Sequence, residues 1–133
     1  MPTLLTISIF LGLLTPPTNI KAKDNPNDDG GKINIFWTLS IDDASLDGYE
    51  IYRRAEKETT FTKLGFRGKG VNFYLDEEAQ DGIPYYYKIC AVKGDERAES
   101  ELSNLVKSSP QWFDTSKINV LVFTGLFIFL LLF

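Results

Sequence analysis

Apolar and polar positions alternate along much of the middle of the chain, between Lys32 and Lys107. In the stretch KINIFWTL, apolar residues occupy every second position, which predicts a strand with one face turned towards a core. The stretches GYEIYRR and PYYYKICAVKG alternate in the same way, and turn-forming stretches such as IDDASLDG and DEEAQDG separate them. Roughly six or seven such strands, without a convincing amphipathic helix, predict an all-β antiparallel sandwich.

Two apolar runs flank this middle part. The first, from Leu4 to Leu14, is too short for a bilayer span of about 20 residues and has the length typical of a secretory signal. We therefore assign residues 1–22 to a signal peptide or N-terminal hydrophobic segment, with Ala22 as the residue before a cleavage site. An uncleaved N-terminal anchor and a buried strand of the domain stay open as alternatives.

The second apolar run, INVLVFTGLFIFLLLF, occupies residues 118–133 and contains no charged residue. Trp112, Phe113 and Lys117 precede it, and aromatic residues beside a lysine are typical of a membrane interface. The run therefore predicts a transmembrane helix with these three residues at its boundary. Residues 109–117 would be a juxtamembrane linker.

Two interpretations of this tail stay open. As a helix the run would reach about 24 Å, less than the roughly 30 Å hydrocarbon core, so the span is either short or continues beyond this chain. A polar spacer before an apolar tail is also typical of a lipid-anchor signal, with Ser108 and Ser109 as attachment residues. Together with an N-terminal signal, a transmembrane helix here predicts a single-pass membrane location with the β domain on the extracytoplasmic side. A lipid anchor would hold the domain on the same side without a span.

Composition excludes several classes of function. The chain contains no histidine, which is the commonest general base and metal ligand. Its lysines and arginines are scattered and its net charge is −4, which argues against a nucleic-acid surface. The single Cys90 cannot form an intrachain disulfide, so an apolar core must hold the fold. We expect neither catalysis nor a cofactor.

Two acidic stretches invite a calcium interpretation. In DNPNDDGG, alternate residues match the first positions of an EF-hand loop, but Phe36 stands where a bidentate glutamate is needed. The acidic residues 76–78, with Asp81, are typical of a solvated turn. We therefore expect no metal site.

The order of these features resembles a fibronectin type III domain. A tryptophan in an early strand, then DGYEIYRR, YLD and DGIPYYYKICAV carry the resemblance, which covers residues 24–108. It implies an immunoglobulin-like sandwich of seven strands, in which the hydroxyl of Tyr85 closes a corner by bonding to an upstream backbone carbonyl. The core residues expected from this resemblance and from alternation are Trp37, Tyr49, Ile51, Tyr85 and Tyr87.

The resemblance and the sequence disagree at two strands. In the fifth strand, alternation would bury Val71, Phe73 and Leu75, whereas the resemblance buries Tyr74. A slip of one residue exchanges every side chain between core and solvent, and we follow the resemblance. No clear first strand appears in KAKDNPNDDGG, so we expect a short or irregular edge there.

Alternation leaves three aromatic residues, Phe36, Tyr52 and Tyr86, outside the core as a candidate partner-binding face. Ordinary cross-strand packing is the alternative role for them. The expected function is a non-catalytic spacer or protein-interaction module tethered to a membrane. Two alternatives stay open: the extracytoplasmic input domain of a larger membrane receptor, transporter or enzyme, and a carbohydrate-binding accessory module that holds a glycan through the exposed sheet face.

Overall fold

The computed structural model describes residues 13–110, which form two antiparallel sheets packed face to face. One sheet has the strand order β1-β2-β5 and the other the order β4-β3-β6-β7, and we call them the three-stranded and the four-stranded sheet. This arrangement confirms the predicted antiparallel sandwich. Along the chain the strands are β1 (Thr18–Asp24), β2 (Ile33–Thr38), β3 (Gly48–Ala55), β4 (Thr62–Gly68), β5 (Phe73–Asp76), β6 (Tyr85–Lys93) and β7 (Glu96–Glu99).

The core lies between the two sheets, because alternate residues along most of each strand point inward. Trp37 of β2 and Tyr49 of β3 meet there from opposite sheets, with ring centroids 5.8 Å apart. Cys90 is a buried free thiol, and burial raises its pKa to about 11. A core of apolar and aromatic side chains thus holds the sandwich. All five core residues expected from the sequence are buried, namely Trp37, Tyr49, Ile51, Tyr85 and Tyr87.

The first strand begins before the stretch in which the sequence suggested an irregular edge. β1 starts at Thr18, upstream of the predicted domain start at residue 24, and Ile20 and Ala22 are buried. A β-bulge between Thr18 and Lys21 interrupts the alternation, and the start of the strand lies among residues that the sequence analysis assigned to the N-terminal segment. Residues 18–22 therefore belong to the sandwich and not to the predicted N-terminal segment, and cleavage after Ala22 would divide a paired strand.

The free edge of β1 is partly covered by one side chain. The backbone N–H of Ala22 donates to the Asn104 side-chain oxygen, and the Asn104 amide donates back to the Ala22 carbonyl, both at 2.9 Å. The amide thus occupies the two backbone groups that a neighbouring strand would bind. Such protection of an edge limits unwanted strand pairing. A groove of about 820 Å³ continues along this edge, between residues 16–23 and residues 99–104.

The later strands follow the resemblance with two differences. Tyr74 of β5 packs against the core and donates its hydroxyl to the Leu64 carbonyl at 3.1 Å, as the resemblance implies. The Tyr85 hydroxyl closes its corner by accepting the backbone N–H of Gln80 at 3.2 Å, so the partner is an N–H and not the expected carbonyl. The sequence also suggests a closing strand in AESELSNLVK, residues 98–107, but β7 covers Glu96–Glu99 and overlaps only Ala98 and Glu99 of that stretch.

The described chain enters the sandwich at one end, which we call the N-terminal end. The backbone N–H of Thr15 donates to the Asp42 carboxylate at 2.8 Å, and the Ser40 hydroxyl donates to the Thr15 carbonyl. Ser40 and Asp42 belong to the connection between β2 and β3, at the end of the sandwich where β2 stops. Thr15, three residues before β1, is therefore hydrogen-bonded to the domain.

The described chain leaves the sandwich at the opposite end, which we call the C-terminal end. The Ser108 hydroxyl donates to Asp81 at 2.8 Å, and the Ser109 hydroxyl donates to Asp24 at 3.0 Å. Asp24 pairs with the first residue of β2, so this end lies a full strand length from the N-terminal end. Ser108 is also fully buried. Both candidate lipid-attachment residues are therefore hydrogen-bonded within the folded domain.

The predicted membrane tail lies beyond residue 110. Its apolar run, residues 118–133, and the interface residues Trp112, Phe113 and Lys117 lie outside the described residues. Within residues 13–110, no helix is long and apolar enough to cross a bilayer.

Candidate functional site

The three candidate partner-binding residues lie on opposite sides of the sandwich. Phe36 of β2 is on the outer face of the three-stranded sheet. Tyr52 of β3 and Tyr86 of β6 are on the outer face of the four-stranded sheet. The structure therefore provides two separate outer faces instead of the single face expected from the sequence, and each face has its own chemistry.

Aromatic rings and cations alternate on the four-stranded sheet. The Lys88 ammonium lies 5.5 Å from the ring centre of Tyr52 and 4.2 Å from that of Phe61. The Arg54 guanidinium lies 5.4 Å from the ring centre of Phe61 and 5.2 Å from that of Tyr86. We call these five residues the cation–aromatic ladder. Each contact contributes about 0.5–1 kcal/mol at an exposed site, so the ladder stabilises the sheet and its rings already have partners.

Strand register produces this ladder. Tyr52 pairs directly with Lys88 across β3 and β6, and Arg54 pairs with Tyr86 in the same two strands. Side chains of directly opposed residues stand close enough to interact, which places each cation beside a ring. Lys88 is also fixed by an ion pair with Glu99 of β7 at 3.1 Å. The outer face thus matches the cross-strand packing that the sequence left open as the alternative role of Tyr52 and Tyr86.

A buried carboxylate lies beside the ladder. Glu50 of β3 is only 5% exposed and forms ion pairs with Lys63 of β4 and Arg97 of β7. Burial alone would raise the pKa of this carboxyl, but the hydrogen bonds from the two cations outweigh it and hold the pKa of Glu50 below its usual value. These ion pairs therefore connect β3 with the two edge strands of the four-stranded sheet.

Replacing Glu50 with glutamine should lower the free energy of unfolding by about 1 kcal/mol at pH 7, because both cations are roughly half exposed and water screens the pairs. The folded-state pKa of Glu50 is below its unfolded value, so its contribution is complete above the usual carboxyl pKa of 4.5 and is lost as pH falls through the folded-state pKa. Urea unfolding of both proteins at neutral and acid pH measures this.

The difference between wild type and Glu50→Gln should therefore shrink on acidification. Glu96→Gln, at an exposed position of β7, is the matched control and should change stability little at either pH. An equal loss for Glu50→Gln at both pH values would contradict the assigned ion pairs.

Two aromatic rings stand side by side on the three-stranded sheet. Phe36 of β2 pairs with Phe73 of β5, and their ring centroids are 5.2 Å apart with the planes tilted by 44°. Phe36 is 42% exposed and Phe73 is 39% exposed. Lys21 of β1 pairs with Phe36 from the other side, so the three side chains form one row across the sheet. We call Phe36 and Phe73 the phenylalanine pair.

The phenylalanine pair differs from the ladder in whether a cation contacts its rings. Among residues 13–110, the cation–aromatic contacts involve Tyr52, Phe61, Tyr74, Tyr85 and Tyr86, and none involves Phe36 or Phe73. Their outward ring surfaces are therefore open to solvent. Single exposed apolar residues are ordinary, but two adjoining rings on the outer face of a sheet form a surface that can bind a partner.

A buried ion pair joins the two sheets and was missed by the sequence analysis. Asp76, at the end of β5, is 2% exposed and accepts hydrogen bonds from Arg53 of β3 at 2.8 and 3.1 Å. It also accepts the hydroxyl of Tyr87 of β6 at 2.6 Å. Burial and this hydrogen bond raise the pKa of the Tyr87 phenol. The sequence analysis placed Asp76 in a solvated turn, and the structure corrects this because its side chain points into the core.

One feature of the sequence could have identified this ion pair. Arg53 lies two residues after Ile51 and four after Tyr49, the inward residues of β3, so alternation places it on the same inward face. A charge inside the sandwich needs a partner there. The Arg53 guanidinium also lies 4.7 Å from the ring centre of Tyr85.

Acidic residues at the C-terminal end of the sandwich bind backbone groups of the turns. Asp28 accepts the N–H of Gly30 at 3.0 Å, and Asp81 accepts the N–H of Gly31 at 2.8 Å. Gly30 has a φ of +91°, a conformation that favours glycine. In the part of the chain that the structure describes, no group of three or more potential metal-ligating side chains occurs.

The fold has close counterparts among solved structures. An Fn3-like protein from Clostridium thermocellum matches with a TM-score of 0.60 and 18% identity, covering 72% of this chain and 94% of that one. The described part of the chain has the fibronectin type III fold. The same module matches part of a beta-1,2-glucanase from Parabacteroides distasonis with a TM-score of 0.54 and 26% identity, covering 80% of this chain and 14% of the glucanase.

Sequence comparison relates this fibronectin type III module to part of a large enzyme. An amylopullulanase from Thermoanaerobacter thermohydrosulfuricus is 33% identical over 85 residues, which is 64% of this chain. The match spans only 6% of the length of that amylopullulanase. No protein-family model matches the chain.

Proposed function

We propose that this fibronectin type III module is non-catalytic and acts as a spacer or interaction module accessory to carbohydrate-active enzymes. The observation that carries the proposal is that the module corresponds to a small part of much larger proteins, 6% of an amylopullulanase and 14% of a glucanase. Its own chemistry supports the same role, because the buried carboxylates Glu50 and Asp76 are engaged in ion pairs that connect strands. Neither carboxylate is left available as an acid or base.

The proposal includes a location at the outer face of a membrane. Its support is the apolar run of residues 118–133 behind the aromatic pair Trp112 and Phe113. Only residues 111–117 stand in the sequence between the described part of the chain and that run. The module would therefore stand close to the bilayer with its C-terminal end towards the lipid.

A second candidate function is an extracytoplasmic input domain of a larger membrane protein. Its support is that the related module makes up only 6% of the length of an amylopullulanase, so modules of this kind occur within much larger chains. Sequencing the gene beyond the codon for Phe133 decides between the two. A charged cytoplasmic region or further spans would favour the input domain.

The test is to express the full chain and to measure its mature mass, its membrane fraction and its hydrolysis of pullulan together. We expect a membrane-bound protein without hydrolytic activity, and a mature chain that keeps Thr15 and everything after it, because Thr15 is bonded within the domain. An intact chain in the soluble fraction would overturn the membrane location. Release of reducing sugar from pullulan would overturn the non-catalytic role.

A further inference from the structure

We propose that the phenylalanine pair, Phe36 with Phe73, is a stacking surface for a neutral polysaccharide chain. The inference rests on the proposed accessory function and adds the site and the class of ligand. A sugar ring has apolar C–H faces and a rim of hydroxyl groups, so its binding surface needs exposed aromatic rings with hydrogen-bonding side chains around them. The outer face of the three-stranded sheet has both.

The rings of the phenylalanine pair are available for stacking, whereas those of the ladder are not. A ligand on Tyr52 or Tyr86 would have to displace Lys88 or Arg54, which lie within 5.5 Å of those ring centres. At the phenylalanine pair, the exposed fractions of 42% and 39% leave apolar ring surface in contact with water. Covering that surface with a sugar face is favourable because it removes apolar area from water.

The surroundings of the phenylalanine pair supply hydrogen-bonding groups without negative charge. Asn34 and Thr38 stand on either side of Phe36 along β2, on the same outer face. The Asn19 amide donates to the Thr38 hydroxyl at 3.3 Å, which extends the polar rim to β1. Asp24 and Asp76 pair with the inward residue Ile33, so the strand positions facing outward on this sheet carry no carboxylate.

The charge on this face favours a neutral chain over a polyanion. Its two cations, Lys21 and Lys23, are both on the edge strand β1, and the phenylalanine pair extends away from them to the opposite edge at Phe73. A polyanion would need cations along its whole path, whereas the hydroxyls of a neutral sugar need only a polar rim. The similarity of the module to parts of an amylopullulanase and of a beta-1,2-glucanase supports the same choice.

The experiment is a calorimetric titration of the full chain, in a detergent without sugar groups, with pullulan and separately with a β-1,2-glucan. Wild type should bind at least one of the two. Phe36→Ala and Phe73→Ala should each raise the Kd about tenfold, the loss typical of an aromatic anchor. Phe36→Tyr keeps a ring in place and should retain most of the affinity.

The matched control is Tyr86→Ala, which removes an aromatic ring from the opposite sheet and should leave the Kd unchanged. Thermal unfolding of each variant shows whether it is folded, so a loss of affinity can be separated from a loss of structure. An equal loss in Tyr86→Ala and Phe36→Ala would overturn the assigned surface. No binding to either glucan, or tighter salt-sensitive binding to polygalacturonate or to a single-stranded oligonucleotide, would overturn the neutral-sugar assignment. Those outcomes leave the non-catalytic accessory role intact, since pullulan hydrolysis and membrane fractionation test it independently.

Discussion

Deleting residues 1–22 should unfold the protein, whereas deleting residues 1–12 should leave the sandwich intact. The longer deletion removes most of β1, including Ile20 and Ala22, which are 8% and 3% exposed. Loss of a buried isoleucine side chain alone costs about 2–5 kcal/mol of stability. The whole free energy of unfolding of a small domain is only about 5–15 kcal/mol. The backbone partners of β2 would be lost as well, which uncovers the inner residues Ile35 and Trp37.

Far-UV circular dichroism and urea unfolding of the two deletion variants measure this difference. The shorter deletion is the matched control, because it keeps the bonds of Thr15 to Ser40 and Asp42. A cooperative unfolding transition in the protein that starts at Lys23 would contradict the assignment of β1. It would also restore the interpretation of residues 1–22 as a segment separate from the domain.

Replacing Asp76 with alanine should lower the free energy of unfolding by about 3–5 kcal/mol, the loss typical when one partner of a buried ion pair is removed. The Arg53 side chain is 17% exposed and would keep its charge without the carboxylate that now binds it. The Tyr87 hydroxyl, which is buried, would lose its only hydrogen-bond acceptor within residues 13–110. Both effects destabilise the folded state.

Urea unfolding of Asp76→Ala, of Arg53→Met and of the double variant measures this coupling. The double variant should be more stable than Asp76→Ala alone, because removing the arginine relieves its uncompensated charge. Glu77→Ala, at the exposed neighbouring position, is the control and should change stability by less than about 0.5 kcal/mol. If Asp76→Ala and Glu77→Ala have similar stability, Asp76 is not the buried link between the sheets.

Strands with strong alternation could be predicted from the sequence, and those whose pattern is interrupted could not. β2, β3 and β6 have inward residues at every second position, so their location and faces follow from the pattern. β1 has only Ile20 and Ala22 as inward residues and carries a bulge, so its pattern is too short to identify. The register of β5 followed from the resemblance and not from alternation, which pointed to the opposite face.

The candidate site could be predicted in part. Exposure of Phe36 follows from its position in β2, but its neighbour Phe73 lies in a different strand, and the pairing of β2 with β5 is a property of the folded chain. Likewise, Tyr52 and Tyr86 were expected to be available to a partner, although Lys88 and Arg54 already contact their rings. Alternation along a strand predicts which face of the sheet a residue occupies. It does not predict which side chain of a neighbouring strand will contact that residue.

The described part of the chain enters and leaves the sandwich at opposite ends, and this determines how the module would respond to tension. A force applied through residues before Thr15 and after Ser109 pulls β1 lengthwise against β2 and against the segment that contains Asn104. Hydrogen bonds between strands drawn past one another are loaded together and not one after another. A module anchored at one end and attached to a bulky partner at the other would therefore resist extension, and the Ala22–Asn104 bonds would be among the first to carry the load.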